Sequence, residues 1–253
     1  MIDIHCHILP GIDDGPGAMK ASLSMARLAV EQGIHTIIAT PHHRTRRYSN
    51  PASRIKRRVN AFNAMLKQSG IPLTVLPGQE FHLTSGYSKE HKKGRLQTLG
   101  NTSYVLVELP SRTFPAHFPQ FLSYMKRHQL RVVLAHPERN AAFVQNPDFL
   151  YEWLQQDVLL QITTQSLVGY FGRRIQKTAA YICRNRWAHF LASDAHNSFQ
   201  RSFYFKEGYE MAEQLGGLEF RDKLQSNAAN LISGKDISGL HSFSWQVRHL
   251  EQN

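Results

Sequence analysis

Ile2-Asp3-Ile4-His5-Cys6-His7 and Val132-Val133-Leu134-Ala135-His136 (residues 2–7 and 132–136) carry the pattern on which the fold of this chain turns. Each is a short apolar run that ends in histidine. Working outward, Thr36-Ile37-Ile38-Ala39-Thr40-Pro41 leads to His42, and Leu73-Thr74-Val75-Leu76-Pro77 leads to Glu80. Tyr104-Val105-Leu106-Val107 leads to Glu108, and Phe190-Leu191-Ala192-Ser193 leads to Asp194 and His196. Apolar runs of this length read as parallel strands buried on both faces, and the carboxyl ends of such strands hold the active sites of α/β barrels. Six strand ends that deliver only His, Asp and Glu predict a multinuclear metal site.

Helical periodicity fills the intervals. Ala18 to Gln32 places Met19, Leu23, Ala26 and Val30 on one stripe, stopped by Gly33. Pro51 to Gln68 begins with proline in the first turn and carries Ile55, Val59, Phe62 and Leu66 on one face. Helices also fit Phe118 to His128, Pro147 to Gln155, Arg173 to Arg186, Phe203 to Gln214 and Phe220 to Ile232, with a further strand at Val158 to Ile162. Seven strand–helix pairs predict an α/β fold with parallel strands, right-handed crossovers and one active face. Alternation alone leaves closure into a barrel open.

With 253 residues, 42% of them hydrophobic, the chain is expected to form one catalytic domain over 1–253. From His241 the last dozen residues show no clear pattern and are expected to dock loosely. No apolar run approaches the ~18 residues of a membrane span, and no signal-peptide pattern precedes His5, so a cytoplasmic location is expected. Two cysteines, Cys6 and Cys183, argue against a disulfide framework. A cysteine-dependent phosphatase would place arginine six residues after its nucleophile; positions 12 and 189 are Ile and His, so Cys6 and Cys183 read as inert buried thiols.

The formal charge of +11 concentrates in Arg44 to Arg47, Arg54 to Arg58 and Lys89 to Arg95. The first two clusters begin directly after His42, which predicts a basic rim that steers an anionic partner. No nucleic-acid-binding motif or aromatic–basic interleaving accompanies it, so no specific nucleic acid is expected.

His5 and His7 share one face of a strand and can grip one cation, with Cys6 pointing away. The loop Leu9-Pro10-Gly11-Ile12-Asp13-Asp14-Gly15 can return a carboxylate over that strand end; Asp14 is the favoured ligand and Asp13 a turn residue. Of His42 and His43, the first is the economical choice of ligand. Glu108 ends a run too apolar for an unpaired acid. His82, His91, His117, His128 and His189 read as surface or packing histidines, Tyr48 as a loop residue, and Trp153, Trp187 and Trp245 as packing residues.

Together, these motifs resemble the polymerase-and-histidinol-phosphatase (PHP) superfamily. The opening Met-Ile-Asp-Ile-His-Cys-His-Ile-Leu-Pro-Gly-Ile-Asp-Asp-Gly, Ala39-Thr40-Pro41-His42-His43, Ala135 to Asn140, Gln161-Ile162-Thr163 and Phe190 to Asn197 resemble the manganese-dependent protein tyrosine phosphatases of bacterial capsule and exopolysaccharide systems. The resemblance runs from Met1 to about Ile232. It implies a distorted (β/α)7 TIM-like barrel of the PHP fold with three divalent ions, Mn2+ favoured and Fe or Zn possible substitutes. His5, His7, Glu80 and Asp194 would hold one ion. Glu80 would bridge to a second, held also by Glu108 and His136, and Asp14, His42 and His196 would hold the third. The chemistry implied is in-line attack on phosphorus by a hydroxide bridging the metals. Arg139 and Arg201 are expected to clamp phosphate oxygens with planar forks, and His43 or a metal-bound water to assist the leaving group. The implied substrate is the phosphotyrosine tail of a membrane-associated bacterial tyrosine kinase, which would recruit the enzyme to the inner membrane face. A histidinol phosphatase is the alternative within the superfamily. Outside it stand a nucleic-acid-binding protein and a catalytically inert kinase-binding protein.

Overall fold

In a computed structural model the described residues are 1–238; the tail expected from His241, and Trp245 with it, lies outside them. Each strand run is followed by helix. In chain order the elements are β1 (Ile2–Cys6), α1 (Met19–Glu31), β2 (Thr36–Ala39), β3 (His42–His43), α2 (Ala52–Gln68), β4 (Thr74–Pro77), β5 (Glu80–His82), α3 (Tyr87–Lys92) and β6 (Tyr104–Glu108). There follow α4 (Phe118–Arg127), β7 (Arg131–Ala135), α5 (Ala141–Gln145), α6 (Phe149–Leu154), β8 (Leu159–Thr163), α7 (Thr164–Leu167), α8 (Arg173–Arg184), β9 (Phe190–Ala192), α9 (Phe205–Gly216) and α10 (Leu218–Ile232).

All strand pairs are parallel. Two runs are split: β2 continues into β3 across Pro41, and β4 into β5 across Gly78. Proline donates no ladder hydrogen bond, and at Gly78 a Cβ would sit 2.5 Å from Ile38 Cγ2. The split divides the sheet into β1-β2-β4 and β3-β5-β6-β7-β8-β9. The ring closes where β9 returns to β1: Asp194 N donates to His5 O at 2.8 Å and His7 N to Ala195 O at 2.9 Å. Seven strand runs therefore make a distorted closed barrel, which settles the closure that alternation left open.

Two apolar clusters follow from strand alternation. Ile4, Ile38, Tyr104, Leu106, Val133, Leu159 and Phe190 fill the barrel, plugged at its amino-terminal end by Ala228 and Leu231 of α10 and by Ile237. Cys6, Ile37, Val105, Val107, Leu134, Leu160 and Ile162 belong to the outer layer beneath the helices. Ile4 and Cys6 fall in different layers because the β1 register shifts between Asp3 and Cys6. One stripe needs correction: α1 buries Ser22, Met25, Ala26 and Ala29, while Met19, Leu23 and Val30 are only partly covered. Small residues let that helix approach the strands closely. In α2 the expected Ile55, Val59, Phe62 and Leu66 are all buried, as are Trp153, Trp187 and both free cysteines. No described helix is long and apolar enough to cross a membrane.

Candidate metal centre

The carboxyl ends of the strands bring the nine expected ligands into one cluster. His5 Nε2 and His7 Nε2 are 3.3 Å apart, and each lies 3.3 Å from Asp194 Oδ1. Glu80, fully buried at the start of β5, reaches four of the histidines. Its oxygens are 3.5 Å from His5 Nε2, 3.3 Å from His7 Nε2, 2.7 Å from His42 Nδ1 and 2.8 Å from His136 Nε2. Asp14 Oδ1 lies 3.4 Å from both His42 Nε2 and His196 Nε2. Three overlapping groups could each hold a cation: His5, His7 and Glu80; His42, Glu80 and Glu108; and His7, Asp14, His42 and His196.

Two of these side chains depend on unusual backbone. His136 and Asp194 adopt the left-handed region, with φ of 32° and 51°. Non-glycine residues there carry strain that the surrounding structure must offset, and such strain gathers at functional sites. Here it occurs at the residue directly after β7 and at the second residue after β9.

The donor set fits cations on chemical grounds. His5 Nδ1 donates to Gln161 Oε1 at 2.8 Å, and His7 Nδ1 to Asp13 Oδ2 at 2.7 Å. A neutral imidazole that donates from Nδ1 presents a lone pair at Nε2. Two such lone pairs facing each other and two carboxylates repel unless a cation lies between them. Bonds of about 2.1 Å in a tetrahedron separate ligand atoms by about 3.4 Å, close to the spacings seen. The electrostatics agree. Burial opposes ionisation of Glu80, yet His42 and His5 hold it well below the usual carboxylate range. Burial also penalises a charged His42, but Glu80 outweighs this and raises it to about 9. His196 moves the opposite way, lowered by burial and by His7.

The outer contacts were less legible in sequence. Asp13, read as a turn residue, accepts from His7 Nδ1, Gly15 N and His42 N, so it orients two of the expected ligands at once. His82, read as a surface or packing residue, donates from Nδ1 to Glu108 Oε2 at 2.8 Å. Its place two residues after Glu80 on one strand was the available signal. Asp3 accepts from Ser193 N and Oγ and so ties β1 to the β9 end. Tyr48 stacks on His42 with ring centroids 6.2 Å apart.

Arg139 and Arg201 both reach Asp194 Oδ2, at 2.5 and 2.9 Å, with the Arg139 guanidinium 4.6 Å from the centre of the Phe171 ring. They hold the far oxygen of a proposed ligand, and both stay partly exposed at the mouth. His43 is a correction. It is buried, its Nε2 bonds Glu90 Oε2 at 3.0 Å and its Nδ1 accepts from Asn50 N at 3.0 Å. Neither nitrogen is free to meet a leaving group. His91, His117, His128 and His189 make packing contacts away from the cluster. A cavity of about 180 Å3 adjoins Glu108, His136 and Arg139, while a larger groove of about 1020 Å3 lies at the opposite barrel end, near Arg131 and Ile237.

Residues 1–233 match the family model described as capsular polysaccharide synthesis, CpsB/CapC. The chain is 39% identical over 237 residues to tyrosine-protein phosphatase YwqE of Bacillus subtilis (strain 168), covering 94% of this chain and 93% of that protein. It superposes with a TM-score of 0.91 and 38% identity on a crystal structure described with YwqE from Bacillus subtilis and CpsB from Streptococcus pneumoniae as unique metal-dependent tyrosine phosphatases. That match covers 94% of this chain and 97% of the other. A histidinol phosphate phosphatase of Lactococcus lactis, 14% identical with a TM-score of 0.55 over 85% of this chain and 93% of its own, shares the fold.

Proposed function

Because the chain belongs to the CpsB/CapC capsular polysaccharide synthesis family, we propose that it is a metal-dependent protein tyrosine phosphatase acting within one catalytic domain. The observation that carries the reading is Glu80, buried and shared by two of the three donor groups. His5, His7, Glu80 and Asp194 would hold one ion; Glu80, Glu108 and His136 a second; Asp14, His42 and His196 a third. Mixed imidazole and carboxylate ligation suits Mn, Fe or Zn over Mg or Ca, and manganese is the ion we propose. Such ions, when bound, supply Lewis acidity and a water nucleophile available near neutral pH.

The rest follows from the chain's own side chains. Gln161 and Asp13 fix the tautomers of His5 and His7, so that Nε2 faces the centre. Arg139 and Arg201 hold Asp194 and turn their remaining donors toward the oxygens of an incoming phosphate ester, where charge builds during displacement. A tyrosine phenolate leaves more readily than an alkoxide because its conjugate acid has a pKa of about 10, so the chemistry runs without His43. We place the enzyme in the cytoplasm, with the phosphorylated tail of a membrane-associated tyrosine kinase as substrate.

The test is steady-state hydrolysis by metal-stripped protein restored with Mn, Mg or Zn, comparing a phosphotyrosine peptide, a phosphoserine peptide and histidinol phosphate. Preference for phosphotyrosine with manganese, lost in His136→Ala, is expected. Histidinol phosphate as the better substrate would refute the assignment.

A further inference from the structure

Nearly all of the net positive charge of this chain falls in two segments beside the candidate metal centre. Residues 44–58 contain seven basic and no acidic side chains, and residues 89–95 contain four basic and one acidic. These 22 positions carry a net +10 of the chain's +11; the remaining residues hold 19 basic against 18 acidic side chains. A surface evolved only for solubility would spread its charge.

The two segments form one platform. Glu90 is buried between them: His43 Nε2 bonds it at 3.0 Å, and Arg44 and Arg95 lie 3.9 and 3.8 Å from its other oxygen. Asn50, also buried, donates to the carbonyls of Ile12 and His42 at 2.9 Å, and its own carbonyl accepts from Gln79 Nε2 at 2.7 Å. Ala52 N, at the start of α2, donates to Arg95 O at 3.0 Å. The basic loop, the first turns of α2 and the end of α3 are thereby pinned to the strand that carries His42. Arg46, Arg47, Lys56, Arg57, Arg58, Lys92 and Lys93 are exposed, with no acidic partner in salt-bridge range among the described residues.

We propose that this platform binds acidic side chains flanking the phosphotyrosine of the substrate peptide; the proposal rests on the tyrosine phosphatase reading above. Charge complementarity favours an acidic chain, and continuity with His42 places such a chain on the same polypeptide as the phosphate. An anionic membrane fits less well. A bilayer laid on this face would cover the mouth that the substrate must enter. Membrane-surface elements also pair basic with apolar exposed groups, and the exposed large apolar side chains among the described residues, Tyr151, Tyr170, Phe199 and Leu218, fall in none of the platform's segments.

Screened exposed pairs change affinity by a factor of about 1.4 to 5 each, so three engaged pairs give about tenfold. The test uses the manganese-loaded full chain and two fluorescent peptides carrying a non-hydrolysable phosphotyrosine analogue. One has Asp and Glu around the analogue, the other Ser and Gln. Anisotropy titration at ~0.02 M salt should show the acidic peptide binding about tenfold tighter, with the preference shrinking below about threefold at ~0.3 M, where the Debye length is only about 6 Å. R57E/R58E/K92E/K93E should abolish the preference and leave kcat/KM for p-nitrophenyl phosphate within about twofold. Equal affinity for the two peptides overturns the proposal. So does variant-sensitive binding to phosphatidylserine vesicles with no peptide preference, which assigns the platform to the membrane. If the acidic preference holds but no ester is turned over, the platform stands and the phosphatase reading falls.

Discussion

Asp13→Asn isolates the part played by a residue that touches two proposed ligands without being one. The Asp13 side chain is 1% exposed. Its Oδ2 accepts from His7 Nδ1 at 2.7 Å and from the His42 amide at 3.2 Å, while Oδ1 accepts from the Gly15 amide at 3.0 Å. Both carboxylate oxygens therefore face N–H donors. An asparagine has one acceptor oxygen, so either orientation turns an NH2 against a donor. With the oxygen kept toward His7, the Gly15 amide loses its partner, at a cost of about 1–3 kcal/mol. The charge that favours the His7 Nδ1–H tautomer is lost as well. Partners of this kind change metal affinity by about 10–100-fold, or about 1.4–2.8 kcal/mol. Titration of metal-stripped protein with manganese, followed calorimetrically, should show this loss. Excess manganese should then restore most of kcat, because no ligand atom has been removed; His7→Ala should not recover. Wild-type manganese affinity in Asp13→Asn would refute the reasoning.

Arg139→Ala should lower kcat on p-nitrophenyl phosphate by about 10²-fold, the effect of losing one preorganised donor, while the bound-metal stoichiometry stays unchanged; loss of bound metal instead would make Arg139 a support for Asp194 alone. Tyr104→Phe removes the hydroxyl that donates to Lys235 O and accepts from Ile237 N and Arg131 at the barrel's amino-terminal plug. The cost is about 1–3 kcal/mol, or about 2–4 °C in Tm per kcal/mol at this size; an unchanged Tm would contradict the role given to this plug. His189 is driven to about 3 by burial, with Arg131 adding to the shift, and its Nδ1 accepts from Leu160 N at 3.1 Å. Its folded pKa lies below the unfolded value of about 6.5, so its contribution is fully present above that pH and is lost as pH falls toward 3. The loss at pH 5 is about 2 kcal/mol. Tm measured at pH 7 and pH 5 should fall less in His189→Gln than in the wild type, and equal falls would count against the assignment.

The strands and most of the helices were legible because burial on both faces and the 3.6-residue period each leave a local mark. Their carboxyl ends showed the proposed ligands for the same reason: Glu80, Glu108 and His136 follow apolar runs where an acid or imidazole needs a partner. Pro41 and Gly78 interrupt two of the runs, a break that was not read from sequence and that only the register revealed as dividing the sheet. The α1 face was misplaced because Ser22 and Ala29 look unremarkable in sequence, yet small volume is what lets that helix approach the strands.

Chain order carries no distance between segments joined only by tertiary packing, and the rest of the centre depends on such distances. Gln161 lies 156 residues from His5 and bonds its ring, and Ser193 lies 190 residues from Asp3. His82 faces Glu108 because β5 and β6 pair in that register, and His43 is sequestered because α3 brings Glu90 under it. By itself, the sequence determined that parallel strands would present imidazoles and carboxylates at one end, since periodicity and apolarity are local. Closure of the ring, the ligand tautomers, the Arg139 and Arg201 contacts with Asp194, and the single basic platform were decided only in three dimensions, where β9 meets β1 and packing sets which groups share a neighbour.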